Sequence, residues 1–296
     1  MLGAARTAWD SAVWSTQRRT TAAATNSTIT FDNVNGAGVS TAKSQFGVAS
    51  LNATSPNSMV SWFVGDPPVE RLDLWPHSEN TDFCIEGWLW IPSGRSSTDT
   101  AVVCVNNEST SATPTPPPIT TGGGLGIRLG YEAGTTGMNY LGIFPRGRAA
   151  CEYAEYTWPR NRWVHFAAQR KYKYPGTGDY TGIISFWADG RRLQTLPSPT
   201  GTTALGFNFP SVGVPISGSD TGISIANSAL FYPLNPPNTA GTEPLLGWVD
   251  ELCASSGWRY DDQYTSYVVP TAPFTVDTIT NLLMHFDSNP AVSSAT

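Results

Sequence analysis

Paired carboxylates are the first chemistry that this sequence could carry, because two of them about 5 to 5.5 Å apart can cleave a glycosidic bond with retention. Alternate residues of a strand face the same side, so such a pair would read Glu-x-Asp or Glu-x-Glu, and neither pattern occurs. Glu152 and Glu155 are three residues apart, and Asp250 and Glu251 are adjacent, so each pair diverges on a regular strand. We therefore expect no catalytic residues, with carboxylates that meet across strands as the alternative.

The histidines and one unusual glutamate are isolated in the sequence. His77, His165 and His285 have no Gly-x-Ser-x-Gly or His-Glu-x-x-His motif beside them, so we interpret them as core or interface residues. Glu86 lies inside an apolar run, where a hydrogen-bonded structural role is more common than catalysis.

Metal and thiol chemistry have little support. We expect no cofactor, and calcium is the alternative because carboxylates are suitable hard ligands, although there is no Asp-rich loop. The carboxylates considered for calcium are Asp66, Asp179, Asp220, Asp261 and Asp262. Four widely spaced cysteines without a Cys-x-x-Cys pair predict buried reduced thiols, with one disulfide as the alternative. They are Cys84, Cys104, Cys151 and Cys253.

Composition excludes several classes of protein. The net charge of -6 over 296 residues argues against a nucleic-acid binder, which needs a basic surface to displace counterions. Only 14% of residues are charged, and 28 glycines and 23 prolines favour strands and elaborate loops over helices. No apolar run is long enough to cross a membrane. Residues 1–25 lack the continuous apolar core of a signal peptide, so we expect synthesis in a cytoplasm without a cleaved signal.

The elements that must position any site are strands, most clearly around residues 163–192. Two runs in this stretch alternate apolar side chains on both faces, which is typical of central strands. Asp189-Gly190 supplies the positive backbone angles of a primed turn, so the chain should fold straight back after it. The stretch therefore predicts an antiparallel meander. Residues 81–92 form the clearest further strand, and residues 45–51 another.

A series of motifs in order resembles a known family. The motifs are Phe-Gly-Val-Ala-Ser-Leu at 46–51, Phe-Cys-Ile-Glu-Gly-Trp-Leu-Trp-Ile-Pro at 83–92, Trp-Val-His-Phe-Ala at 163–167, Ile-Ser-Phe-Trp-Ala-Asp-Gly at 184–190, Gly-Ile-Ser-Ile at 222–225, Gly-Trp-Val-Asp-Glu-Leu at 247–252 and Gly-Trp-Arg-Tyr at 257–260. This order resembles the laminin-G-like (LamG-like), concanavalin A-like jelly rolls, especially the versions found in tailed phages. The resemblance implies an all-β fold, an antiparallel β-sandwich jelly roll, over residues 26–296. Long loops are expected at residues 106–124, 197–220 and 231–244.

Residues 1–25 predict an N-terminal extended arm that docks on a partner or a neighbouring subunit. Tryptophan and arginine are enriched where proteins bind proteins. An arm folded against its own sandwich is the alternative. The arm residues assigned to this contact are Arg6, Trp9, Trp14, Arg18 and Arg19.

Sugar binding is a secondary expectation, because exposed aromatic rings can stack on pyranose faces. The candidates for stacking are Tyr131, Tyr140, Trp158, Tyr172 and Tyr174.

The resemblance and the missing carboxylate pattern together predict a non-enzymatic phage virion protein. It would be a capsid decoration protein or a tail or fibre component, with a lectin-like sandwich for assembly and surface display. Other virion proteins would be its partners, and copies would be related by particle symmetry, with a trimer as one arrangement. The alternatives are a carbohydrate-binding host adhesin and a glycan-cleaving enzyme of the same fold.

Overall fold

The computed structural model describes residues 11–20, 23–34, 36–55, 58–63, 82–94, 100–107, 125–130, 140–145, 152–173, 181–197, 221–226, 229–230, 239–240 and 244–287. These residues form strands and connecting segments without a helix. Among them there is accordingly no helix with the length and hydropathy needed to cross a membrane. The predicted loops at 106–124, 197–220 and 231–244 lie for the most part outside the described residues.

The first of two large sheets is antiparallel and has eight strands. Its strands, in spatial order, are β1 (Ser11–Thr20), β2 (Ala23–Val34), β5 (Met59–Phe63), β14 (Thr221–Ile225), β7 (Thr100–Asn107), β8 (Leu125–Gly130), β9 (Tyr140–Pro145) and β10 (Glu152–Glu155).

The second sheet is also antiparallel, and it carries the predicted meander. Its strands, in spatial order, are β13 (Arg191–Pro197), β12 (Thr181–Ala188), β11 (Trp163–Lys173), β6 (Phe83–Trp90), β17 (Gly247–Ser255), β4 (Ser50–Ala53) and β3 (Gly38–Ser40), with β18 (Thr280–Met284) paired to β17. A separate short pair joins β15 (Ala229–Leu230) to β16 (Thr239–Ala240).

The meander and its turn are confirmed. β11 pairs with β12, and β12 with β13, both antiparallel. Asp189 and Gly190 have φ angles of 52° and 84°, as a primed two-residue turn requires, and such angles favour glycine at the second position.

The core lies between the two sheets. Buried apolar side chains of the first sheet, such as Val102 and Leu141, belong to the same cluster as Phe83, Phe166 and Phe186 of the second. Two antiparallel sheets that share one core make a β-sandwich. The all-β sandwich is therefore confirmed, whereas the finer laminin-G-like, concanavalin A-like assignment stays a prediction.

Part of the predicted arm belongs to the sandwich. β1 pairs along its whole length with β2 and forms one edge of the first sheet. Residues 1–10 lie outside the described residues. Attachment of residues 1–25 to a partner stays a prediction.

The strand predicted at residues 45–51 begins only at Ser50. Residues 45–49 form a loop because side chains take up their amides instead of a neighbouring strand. Asp250 Oδ2 accepts from the amides of Gln45 and Phe46, at 2.8 and 3.2 Å. Asp287 Oδ1 accepts from the amide of Val48 at 2.8 Å.

Two of the four cysteines are described with their side chains. Cys84 and Cys253 are free and buried on neighbouring strands, in agreement with the predicted reduced thiols. Burial raises the pKa of Cys253 to about 12 and also raises that of Cys84, so both thiols stay neutral. Cys104 lies in β7, and Cys151 lies outside the described residues.

An irregular segment covers part of the second sheet's outer face. We call residues 256–279 the strap. Its Tyr260 and Tyr267 pack against Trp187, whose ring is fully buried and whose indole nitrogen donates to Ser185 Oγ at 3.1 Å. The strap therefore gives the sandwich a second, smaller apolar cluster outside the main core.

Trp187 to Ala should lower the free energy of unfolding by about 3 to 5 kcal/mol, because it leaves a large cavity under the strap. Val268 to Ala is the control, since Val268 is 89% exposed on the same strap and should change the stability by less than about 0.5 kcal/mol. Denaturant unfolding measures both. Equal stability of the two variants would mean that Trp187 is not buried.

Candidate functional site

The outer face of the second sheet has two halves, and the strap closes one of them. Gln169 of β11 holds the strap by its backbone: Gln169 Oε1 accepts from the amides of Arg259 and Tyr260, each at 3.0 Å. Gln169 Nε2 donates to the carbonyl of Tyr260 and to Ser185 Oγ. One buried amide side chain thus satisfies three strap backbone groups.

Glu86 of β6 lies at the centre of the closed half and is only 4% exposed. Tyr260 Oη donates to Glu86 Oε2, and Arg259 Nε lies 2.9 Å from Glu86 Oε1. Burial and the neighbouring Glu86 raise the pKa of Tyr260, so the phenol stays a hydrogen-bond donor. This agrees with the interpretation of Glu86 as a hydrogen-bonded structural residue.

The guanidinium of Arg259, near the start of the strap, also binds residues at the end of the strap. It forms two bonds to Asp277, of 2.8 and 3.3 Å, and donates to Thr280 Oγ1 at 3.1 Å. Although partial burial opposes it, hydrogen bonding from Arg259 and Thr280 lowers the pKa of Asp277 to about 2. Asp277 therefore stays ionised, and the ion pair holds, over the physiological pH range.

His165 is fully buried beside Glu86. Its Nδ1 pairs with Tyr267 Oη, and its Nε2 lies 3.5 Å from Glu86 Oε2. The rings of Trp88 and Phe274 pack edge-on against the imidazole. No ligand reaches this ring while the strap is in place, as expected for a core histidine.

His285 forms an ion pair with a second buried carboxylate. Its Nδ1 lies 2.8 Å from Glu251 Oε1, and Glu251 Oε2 accepts from the amide of Phe274 at 2.8 Å. Hydrogen bonding to Glu251 raises the pKa of His285. Glu251 thus also anchors the strap. His77 lies outside the described residues.

The other half of the outer face carries a row of tryptophans. The pairing register places Trp163 of β11 opposite Trp90 of β6, and Trp90 opposite Trp248 of β17. All three side chains are half-buried rather than sealed. The rings of Trp90 and Trp163 meet edge to face, with centroids 5.9 Å apart. Since neighbouring strands are about 4.8 Å apart, the row spans roughly 10 Å of the sheet.

Lys43 lies above the tryptophan row. Its Nζ is 4.2 Å from the ring centroid of Trp90 and 5.2 Å from that of Trp248, which are cation-π distances. The loop that carries it is fixed at residues 45, 46 and 48 as described above, and Ser50 Oγ donates to the Lys43 carbonyl at 2.7 Å. The backbone of Lys43 is therefore held beside the rings, and its ammonium lies within cation-π distance of two of them.

Gly47 lets this loop approach Asp287. Its φ of 60° lies in the left-handed region, and a Cβ at this position would come within 1.9 Å of Asp287 Oδ1. Any other residue would displace the carboxylate that binds the amide of Val48.

Asp250 links the loop to β17, two residues from Trp248. Burial raises the pKa of Asp250 to about 7, even though the amides of Gln45 and Phe46 donate to it. The carboxyl group therefore changes its charge near neutral pH.

Among the sequence-based sugar candidates, the structure describes the side chain of Trp158. Trp158 is 2% exposed and packs against Tyr156 in the core, so its ring offers no free face and we do not retain it. Tyr140 and Tyr172 lie in β9 and β11, and Tyr131 and Tyr174 lie outside the described residues. The tryptophan row and Lys43 were missed, because only the strand register brings them together.

The described residues offer no metal centre: they contain no group of three or more His, Cys, Asp or Glu side chains placed to hold an ion. Of the calcium candidates, Asp261 accepts from the amide of Gln263 at 3.0 Å, and Asp262 lies 3.9 Å from Lys171 Nζ. Asp66, Asp179 and Asp220 lie outside the described ranges.

Comparisons with known proteins found structural similarity only. No family model and no curated protein matches the chain. The enzymatically active domain of tailspike protein 2 from bacteriophage CBA120 aligns with a TM-score of 0.47 at 12% identity, over 87% of this chain and 33% of that one. A candidate carbohydrate binding protein from Bacteroides ovatus aligns with a TM-score of 0.40 at 16% identity, over 70% and 46%. A heptameric pentraxin from Limulus polyphemus gives 0.37 at 8% identity, over 85% and 78%.

Phage tailspikes and carbohydrate-binding β-sandwiches are thus among the similar structures, although these TM-scores establish no activity for this chain. The chain spans about a third of the length of the tailspike domain.

The prediction that the chain is not an enzyme is wrong by this comparison. An enzymatically active tailspike domain, a glucuronan lyase from Trichoderma reesei and a carbohydrate esterase of bacteriophage phi24B are among the similar structures. A missing Glu-x-Asp pattern excludes only one way of cleaving a glycan, since lyases and esterases do not use that carboxylate pair. We therefore no longer exclude enzymatic activity.

Asp250 predicts a specific pH dependence. Because its folded pKa is raised, its contribution to stability is present below about pH 3.8 and is lost as the pH rises towards 7. Between pH 4 and pH 8, the free energy of unfolding of the wild type should fall by roughly a few kcal/mol relative to that of the Asp250→Asn variant. Denaturant unfolding at fixed ionic strength measures it. Parallel curves for the two proteins would contradict the assignment.

Proposed function

We propose that this chain is a β-sandwich component of a phage virion, on the tail or another surface of the particle, and that it binds a glycan through the tryptophan row. The observation that carries the binding proposal is the row itself: three half-buried tryptophans on adjacent strands, beside a half of the face that is fully sealed.

The contrast between the two halves supports a ligand. The strap buries Trp187 completely, whereas Trp90, Trp163 and Trp248 remain partly open to solvent. A contiguous apolar patch that stays partly open on the surface of a soluble protein is typical of ligand-binding grooves. Indole rings present a flat, electron-rich face to the polarised C–H groups of a pyranose, and this suits a sugar better than a flexible apolar chain.

The virion part of the proposal rests on the phage-type sequence resemblance and on residues 1–25. Their tryptophans and arginines are the side chains that dominate protein interfaces. β1 is also an edge strand, and an edge offers unpaired backbone groups to a partner. We propose that this edge, with the residues before it, contacts other virion proteins.

Replacing each tryptophan of the row by alanine should weaken glycan binding about fivefold, because one stacking contact is worth about 1 kcal/mol. Trp258 to Ala is the matched control, since Trp258 is also half-buried but lies on the strap, outside the row. An array of bacterial surface polysaccharides followed by titration calorimetry measures the affinities, with thermal unfolding to confirm folding. Equal losses in row and control variants, or no glycan bound by the wild type, would contradict the proposal.

Removal of residues 1–22, which deletes β1 as a complete edge strand, should leave a folded sandwich that no longer enters particles. The full-length double variant Trp9 to Ala, Trp14 to Ala tests the same contact without changing the sheet edge. Mass spectrometry of purified particles gives the copy number of each variant. Incorporation of the truncated protein at wild-type copy number would show that these residues do not attach it.

A further inference from the structure

We infer that the glycan bound by the tryptophan row carries a negative charge, which Lys43 recognises. This inference rests on the proposed function and adds the chemical class of the ligand: a pyranose with a carboxylate or another anionic group.

The position of the Lys43 ammonium is the first argument. It lies over two of the three rings, 4.2 Å from the Trp90 centroid and 5.2 Å from the Trp248 centroid. A sugar stacked on the remaining open part of the row would therefore lie beside this ammonium. A lysine ammonium has three N–H donors, and contact with a ring face leaves donors free for a ligand.

The second argument is a comparison with Lys171 on the same face. Lys171 Nζ also stacks on an indole, 3.8 Å from the Trp258 centroid, but it lies 3.9 Å from Asp262 Oδ1. Lys43 has the same kind of ring contact, yet it takes part in none of the ion pairs found among the described residues. Its positive charge is not neutralised by a described carboxylate.

The carboxylates of the surrounding elements already have other partners. Asp250 accepts from the amides of Gln45 and Phe46, Asp287 accepts from that of Val48, and Glu251 is bound to His285. The bonds of Asp250 and Asp287 also fix the loop that carries Lys43. A half-buried cation on a fixed loop, with no partner among the described carboxylates, favours an anionic ligand because less ordering entropy is lost on binding.

The net charge of the chain makes this local cation significant. At -6 the molecule as a whole repels an acidic polysaccharide, so binding would need a specific positive group at the site. Arg162, which is next to Trp163 in the sequence, is already paired with Asp189 at 2.6 Å. Lys43 is the described cation that lies over the rings of the row itself, so it is placed to supply that group.

Matched pairs of probes that differ only in charge test the inference on the full chain. The pairs are oligogalacturonate with its methyl ester, and sialyllactose with the methyl ester of its sialic acid, each titrated by calorimetry against wild type, Lys43→Met and Lys171→Met. Methionine keeps most of the apolar stem of lysine and removes its charge.

We expect the wild type to bind the anionic member of at least one pair about tenfold more tightly than its neutral partner, because a charge-assisted hydrogen bond is worth about that factor. K43M should lose this preference and keep the neutral affinity, whereas K171M should keep the preference. Added salt should weaken only the anionic binding.

The outcomes separate this inference from the proposed function. Equal affinity for both members of each pair, a preference that survives in K43M, or equal losses in K43M and K171M would overturn the role of Lys43 and leave the row as a neutral-glycan site. If the wild type binds none of these probes and the polysaccharide array identifies only neutral ligands, the inference also fails while the proposed function stands. If the array identifies no ligand, both fail.

Discussion

The antiparallel register of β6 with β11 and β17 is the constraint on which the rest of the molecule depends. It places Trp90 between Trp163 and Trp248, and on the same face it places Glu86 beside His165. A shift by one residue would exchange every outward side chain of β6 with an inward one. The tryptophans would then enter the core, and the leucine and isoleucine that fill it would face outwards.

The strap makes this register costly to change. It adds a polar layer in which a buried amide, a buried glutamate and the Nδ1 of a buried histidine find partners, so part of their desolvation is compensated. β17 also helps to fix this register, through a bulge at Glu251, whose φ is 49°. The bulge keeps both Asp250 and Cys253 opposite outward-facing residues of β6. Asp250 and Glu251 then point to different segments: the first holds the Lys43 loop and the second holds the strap. One bulged strand therefore fixes both halves of the outer face.

Much of the fold could be predicted from the sequence, because its signals are local. Alternation of apolar residues identified β6, β11 and β12, and Asp189-Gly190 identified the turn. Residues 45–49 were mistaken for a strand, because carboxylates about 200 residues away take up their amides. Composition did not distinguish Trp158, which is core, from Trp163, which is not. The candidate site could not be predicted, since its four residues lie on three strands and a loop that only long-range pairing assembles.

The central claim is that the tryptophan row is the ligand-binding face. Its most direct test is a two-dimensional NMR spectrum of the protein labelled with ¹⁵N at tryptophan, titrated with a polysaccharide that binds on the array. Single substitutions assign the indole signals. The account predicts that the indole N–H signals of Trp90, Trp163 and Trp248 shift with a common dissociation constant, while those of Trp187 and Trp258 stay in place. Shifts confined to Trp258 or to other tryptophans, with the row unchanged, would contradict it.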